Sequence, residues 1–462
     1  MALQEMDARN PWLEGNFAPL PAEVSAFDLP VEGRLPAELE GRFLRNGPNP
    51  VGPVDPATYH WFVGDGMVHG VRLRGGRAEW FRSRWVRGSA VTAALGEPAL
   101  PGPGAERGFA PNTSVIGFAG RTWALVEAGA SLPVVLDYEL NSLARDDFGG
   151  TLAGSFTAHP KLDPATGELH AMCYWWPKWA RHVQYVVVAP DGRVRKTVDV
   201  PVPGMPMLHD MALTSRYVVV LDLPVTLDPA LARSGHAVPF SWNPDYGARV
   251  GLLPREGNAT DILWCDVAPC YVFHPLNAYD ALDGTVVMDV CRYRSLFDGR
   301  IPVGPEYIPT LDRWTIDPGK LRVREERVDD RGQEFPRIEP ANLGRPHRFG
   351  YTAGFTAGWT PGPTYRHDLA TGRVEAHDHG PGRGAAEPVP VRHAGGGDGD
   401  DWVLTFVYDA GTDRSELVVL DGTDFTAPPV ARVLLPGRVP YGFHGNWVPD
   451  SVVPPHAPEA AA

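Results

Sequence analysis

The sequence predicts an all-β chain folded as a propeller, and two features carry that expectation. The first is a series of short β-rich runs that return on themselves: Tyr185-Val186-Val187-Val188 reaches an Asp191-Gly192 turn and comes back as Val194 to Val200. Tyr217 to Leu221, Val286 to Val290, and the pair Leu404 to Tyr408 with Leu417 to Leu420 continue the theme. The second is a recurring turn signal, seen in Asp163-Pro164-Ala165-Thr166-Gly167, Asp317-Pro318-Gly319 and Asp368-Leu369-Ala370-Thr371-Gly372. Hairpins repeated with matched turns place strand ends around a central axis. The length, 462 residues, is within reach of one large all-β unit, so the chain is read as a single domain over 1–462 with an N-terminal arm over about 1–30. Periodicity alone fixes no blade count.

In chain order, residues near Asn10 to Pro21 form an extended, proline-punctuated arm with little helix. Gly33 to Pro50 reads as a turn, a strand through Arg42-Phe43-Leu44 and a glycine-proline bend. Trp61-Phe62-Val63-Gly64-Asp65-Gly66-Met67-Val68-His69-Gly70 surrounds a Gly-Asp-Gly turn and runs into a strand through Val71-Arg72-Leu73. From Gly88 to Gly108 the chain is rich in Ala, Gly and Pro, with a short helix expected near Ala90 to Leu95. A loop of that length inside a compact domain is often functional.

Composition narrows the function. Hydrophobic residues make up 43% and aromatics 10% of the chain, enough for a sizeable core. A formal charge of -14 argues against a nucleic-acid groove, which needs clustered Lys and Arg. Cys173, Cys265, Cys270 and Cys291 have no CxxC spacing, and Met1 to Asp7 lacks a basic-then-apolar signal pattern, so reduced thiols and a cytoplasmic location are expected. No apolar run approaches a membrane span, which leaves only peripheral membrane contact.

Four of the fifteen histidines share a setting. His159 lies in Thr157-Ala158-His159-Pro160, His209 in Met207-Leu208-His209-Asp210, His274 in Val272-Phe273-His274-Pro275, and His444 in Tyr441-Gly442-Phe443-His444-Gly445-Asn446-Trp447. Each borders a strand-like run among apolar neighbours, so four imidazoles from distant parts of the chain can meet at one metal. A histidine so placed is more often a packed core residue than a ligand. His69 is read as such a packing residue. His377-Asp378-His379 looks more ligand-like to a simple scan, but its Gly/Pro-rich surroundings suggest a solvated turn. Histidine-only ligation suits Fe(II), Zn(II) or Cu(II) alike.

From Asn10 to Trp447 these segments resemble the carotenoid cleavage oxygenase family, whose four ligand motifs they match and whose opening signature is similar to Gly33 to Pro50. The resemblance implies seven blades, with a cap of loops and short helices over a metal on the axis. It selects Fe2+, one per chain, on His159, His209, His274 and His444, with O2 as co-substrate; the placing of 88–108 in the cap over the substrate entrance rests on the length of that loop alone. Glu127, in Leu125-Val126-Glu127-Ala128, Glu334, in Gln333-Glu334-Phe335-Pro336-Arg337, and Glu387, in Ala386-Glu387-Pro388-Val389, match the carboxylates that receive the ligands' other N–H groups. Where the family usually has an aromatic residue, two positions after the proline of the last motif, this chain has Pro390, which leaves the local strand geometry open. Thr113 matches a threonine whose methyl group sits beside an open iron position. Asp280 stands where a family glutamate often ends the His274 motif and is assigned no catalytic role.

The implied reaction is oxidative scission of a conjugated C=C bond in a small apolar carotenoid or apocarotenoid, giving two carbonyl products. Trp61, Phe62, Trp175, Trp176, Phe240, Trp242 and Tyr441 are candidates to line the tunnel. Stilbene cleavage and a propeller binding protein without chemistry are the alternatives. Relatives that cleave hydroxylated stilbenes commonly carry a lysine just before the first glutamate; this chain has Val126. An apolar lip for collecting substrate from lipid is expected within residues 224–251, through Leu227, Leu231, Val238, Phe240 and Trp242.

Overall fold

The computed structural model describes residues 10–104, 111–127, 132–174, 179–298, 307–356 and 360–455. Seven antiparallel sheets of four to six strands stand around an axis as propeller blades. Their innermost strands, in chain order for blades 1 to 7, are Ser114–Phe118, Lys161–Leu162, Met211–Leu213, Tyr271–Asp280, Gln333–Arg337, Val389–Arg392 and Gly445–Pro449.

Blades are buried on both faces, which explains runs that do not alternate. Tyr217–Asp222 reads Tyr-Val-Val-Val-Leu-Asp, and all but Tyr217 are buried. The outermost strand Arg322–Asp329 instead sets half-buried Val323, Glu325 and Val328 among exposed arginines and Glu326, which discourages pairing with another chain. Blade 7 joins the two ends of the polypeptide: Gly445–Pro449 pairs with Gly41–Pro48, followed outward by Gly66–Arg74, Arg77–Trp85 and Val24–Phe27. The next N-terminal strand, Val31–Gly33, adds to the outer edge of blade 6 against Ala431–Leu434.

Blade 3 carries an inserted hairpin, Val225–Leu227 with Phe240–Trp242, and a short helix, Pro229–Arg233, between its strands. Asp228 caps that helix by accepting from Ala230 N at 2.7 Å, with Pro229 at the first turn. The N-terminal arm holds two single 3-10 turns, Pro11–Leu13 and Gly15–Phe17.

Two expectations change. A helix does form at Ser89–Leu95, but residues 88–104 line neither cavity that borders the histidine ring; Val91 packs with Met67 and Trp85, and Leu100 with Val68 and Trp80, so these apolar residues are spent against the flank of blade 7. The wall beside the axis comes instead from residues 61–63 and, in the blade 3 insertion, from residues 237–240. His377 and His379 are buried rather than solvated: His377 Nδ1 meets the Phe425 carbonyl at 3.1 Å and His379 Nε2 meets Thr364 Oγ1 at 2.9 Å. Gly380 and Gly382 make the turn, which lets the two rings fold back into the blade.

Candidate metal centre

Every inner strand delivers one side chain near its first residue. In blade order these are Thr113, His159, His209, His274, Glu334, Glu387 and His444. Four of them form a ring on the axis: one nitrogen from each of His159, His209, His274 and His444 lies within 4.8 Å of the others. His69 is buried in blade 7, stacked 6.3 Å from Phe81, and is not part of the ring.

Local chemistry fixes each imidazole. Pro160 follows His159 and Pro275 follows His274, and neither can donate to a ladder, so the strand pairing shifts register on both sides of Pro275 and His274 turns to the axis. His209 sits in a loop whose Met207 carbonyl accepts from Tyr271 Oη at 2.9 Å. At His444 the backbone is crowded. A Cβ on Gly445 would meet the Leu44 carbonyl at 2.5 Å, and one on Gly442 would meet Gly47 Cα at 2.9 Å, so glycine flanks the ligand. His444 N donates to the Thr113 carbonyl at 3.0 Å, which ties blade 7 to blade 1.

Three carboxylates receive Nδ1–H groups. Glu127 Oε1 lies 2.6 Å from His209, Glu334 Oε2 2.6 Å from His274, and Glu387 Oε1 2.9 Å from His444. This leaves the Nε2 lone pairs of His209 and His274 facing each other at 3.1 Å, a repulsive contact unless a cation lies between them. His159 Nε2 is buried with no hydrogen-bond partner among the described residues. Arg337 lies 3.1 Å from Glu387 and pairs with it. An orphaned lone pair and opposed acceptors fit a divalent metal ion held by the four imidazoles.

The same features set the protonation states. Burial pushes His159 and His274 well below the ordinary 6.5 and lowers His444 as well, so all three stay neutral and able to ligate. Burial pushes Glu387 up, but Arg337 and His444 outweigh it and hold the carboxyl at about 2. Burial raises Glu334 well above its usual range, against the pull of the Phe335 N–H, which donates to it at 2.5 Å. Phe335 itself sits at φ 51, strain of the kind that clusters at functional sites, and its ring covers His274 and His444 at 5.7 and 5.3 Å.

A pH dependence follows for the metal-free protein. Groups whose folded pKa is depressed contribute stability above their unfolded value, here 6.5, and lose it as pH falls below. Urea midpoints of the apoprotein are therefore expected to be insensitive to these groups above that value and to fall with acidification; a midpoint that rises in acid contradicts the assignment.

An apolar cavity opens beside the ring. Trp61, Phe62, Val126, Val238, Phe240, Phe273, Phe335 and Phe443 line it, with Thr113, Glu127, Glu334, His209, His274 and His444 at its polar end. Thr113 Oγ1 donates to Asn112 Oδ1 at 2.8 Å, and Asn112 is itself held by the carbonyls of Phe62 and Gly64. Of the tunnel candidates, Trp61, Phe62 and Phe240 are in the wall; Trp242 packs on the neighbouring core, Tyr441 lies behind Trp61, and Trp175 and Trp176 fall outside the described residues. Pro390 does no damage: its strand is innermost in the blade, its partner is Val403, and Glu387 still reaches His444. Asp280 pairs with Arg216, 3.0 Å away at the protein surface.

Sequence reasoning missed several supports. Tyr174 Oη donates to Glu127 Oε1 at 2.8 Å. Among the described residues His159 has no carboxylate in hydrogen-bond range; Asp210 lies 4.0 Å from its Nδ1 and is paired with Lys161 at 2.8 Å. Only the closeness of Lys161 to His159 and of Asp210 to His209 in the chain gave a signal.

Comparison with known proteins gives consistent results. The profile of a family described as retinal pigment epithelial membrane protein matches residues 17–449. The carotenoid cleavage oxygenase of Mycobacterium tuberculosis is 46% identical, covering 97% of this chain and 99% of its own. The apocarotenoid-15,15'-oxygenase of Synechocystis is 31% identical over 94% and 96%. Among solved structures, the lignostilbene dioxygenase of Pseudomonas brassicacearum aligns with a TM-score of 0.87 at 31% identity, covering 95% and 98%. A cobalt-substituted Synechocystis apocarotenoid oxygenase aligns with 0.83 at 28% identity, covering 93% and 97%.

Proposed function

We propose, since the chain belongs to the carotenoid oxygenase family, that it holds one Fe2+ on His159, His209, His274 and His444 and cleaves a carotenoid or apocarotenoid with O2. The observation that carries this reading is the four-imidazole ring at the polar end of an apolar cavity. When bound, ferrous iron supplies the oxygen activation needed to split a conjugated C=C bond into two carbonyls.

The chain's own residues do the rest. Glu127, Glu334 and Glu387 fix the tautomer and direction of three imidazoles, and Arg337 and Tyr174 hold two of those carboxylates in place. Thr113 stands at the cavity's polar end with its hydroxyl engaged by Asn112, which supports the reading that it offers the site its methyl group. The aromatic wall excludes water and positions a polyene by shape, since a hydrocarbon chain offers nothing to hydrogen-bond. The whole chain acts as one catalytic propeller in this reading, supported by the shared blade that joins its two ends.

The likeness to a lignostilbene dioxygenase favours stilbene cleavage as the second reading. Incubating iron-loaded protein with carotenoid, apocarotenoid and stilbene panels, and identifying the aldehydes by mass, separates the two. Carotenoid-derived aldehydes are the expected products, and stilbene-derived aldehydes alone would replace the first reading with the second.

We place the protein in the cytoplasm with weak peripheral membrane contact. All four cysteines are unpaired and buried, and no described helix is long and apolar enough to cross a membrane. Val238 and Phe240 of the blade 3 hairpin stand in the cavity wall, but no large hydrophobic residue of 224–251 is strongly exposed. Liposome binding is therefore expected to be weak, reversible and insensitive to salt, given the net charge of -14. Tight binding that salt abolishes would point to an electrostatic membrane site instead.

A further inference from the structure

The histidine ring stands between two cavities, of which one carries ion pairs in its wall. On the side away from the aromatic wall, a second cavity runs along the propeller axis, walled by residues of six inner strands and, in blade 3, by Asp210 just before its strand. His209 lines only the apolar cavity, His159 only the axial one, and His274 and His444 line both. The axial wall carries Lys161, Asp210, Arg337, Glu339, Glu387 and Arg392. Their charges are compensated: Lys161 pairs with Asp210 at 2.8 Å, Arg337 with Glu387 at 3.1 Å, and Arg392 with Glu339 at 2.9 Å. At the outer rim Leu162 and Val452 are 42% and 39% exposed, so this cavity meets solvent.

A divalent cation in water keeps its hydration shell until ligands replace it, and stripping that shell in an apolar passage is costly. The aromatic cavity is lined mainly by apolar side chains, and its carboxylates, Glu127 and Glu334, stand behind histidines of the ring itself. The axial cavity, though largely apolar too, carries three ion pairs in its wall, one of them Lys161–Asp210 beside His159, whose Nε2 has no partner among the described residues. We propose that the metal ion reaches and leaves the four-histidine ring through the axial cavity, so that ion and apolar substrate use opposite entrances. This rests on the reading of His159, His209, His274 and His444 as the metal ligands. The arrangement lets the substrate cavity stay dry while the ring is loaded from the other face.

The native cysteines are all buried, so a cysteine introduced at the rim can be labelled selectively. Leu162→Cys and, separately, Val452→Cys carry a small or a bulky polyethylene glycol maleimide, with Phe27→Cys as control because Phe27 is 62% exposed on an outer strand of blade 7. Cobalt(II) uptake by the full-length apoprotein is followed by its ligand-field absorbance, and release by transfer to a chelator. The bulky label at either rim position is expected to slow uptake and release about tenfold or more, the small label much less, and the control label not at all, with unchanged final stoichiometry. Filling the aromatic cavity with an apolar polyene is expected to leave both rates unchanged. Rates slowed by the polyene and not by rim labels, or by neither, overturn the axial route while leaving the ligand set intact. Unlabelled protein that takes up no cobalt overturns the ligand set and the route together.

Discussion

A His444→Ala protein is expected to purify without iron and to show no turnover. His444 is one of four ligating nitrogens and lines both cavities, so its loss opens the ring on both sides. Losing a carboxylate behind a ligand typically costs about tenfold to hundredfold in metal affinity, and losing the ligand itself costs more. The fold is expected to survive, because Glu387 keeps Arg337 and the Gly445 N–H, and the backbone N–H of residue 444 still donates to the Thr113 carbonyl. Metal analysis and thermal unfolding of apo wild type and apo variant separate a lost ligand from a lost fold. An active, iron-replete variant would show that the wrong four histidines were chosen.

The second expected effect is a change of substrate preference at Val126. Its side chain is in the wall of the aromatic cavity, next to Glu127 of the metal site, which excludes a position facing away from the tunnel. A valine cannot donate a hydrogen bond, and burying a phenolic hydroxyl without a partner costs roughly 1–3 kcal/mol. Carried into the transition state, that is about a tenfold to hundredfold loss in kcat/KM. A hydrocarbon polyene incurs no such cost. Wild type should therefore prefer a carotenoid or apocarotenoid over a 4-hydroxystilbene, and Val126→Lys should move the ratio toward the stilbene. Competitive turnover measures it: an unchanged ratio in the variant shows that the position does not read the substrate, and a wild type that prefers the hydroxystilbene reverses the assignment.

The strands were legible because both faces of a blade are buried, which makes Tyr217–Asp222 a continuous apolar run between polar turns. The number of blades was not, since hairpins of this kind build propellers of several sizes, and only the family resemblance supplied it. The histidines stood out by their apolar neighbours, yet their convergence depends on strands scattered from blade 2 to blade 7 and left no spacing to read. His377 and His379 show the reverse error: the loop around them is polar and glycine-rich, while the side chains themselves point into the blade. The contacts of Tyr174 with Glu127 and of Lys161 with Asp210 cross from one blade to the next, where no local pattern records them.

The strand that closes the ring has a consequence for biosynthesis. Gly445–Pro449 completes blade 7 by pairing with Gly41–Pro48, and the residue just before it is His444. A nascent polypeptide that has emerged only as far as blade 6 therefore lacks the closing strand and a ligand together. Circular closure and completion of the histidine set become one event, which waits until synthesis has run past Gly445. Polypeptides terminated or clipped before that point are left both open and short of one histidine of the ring.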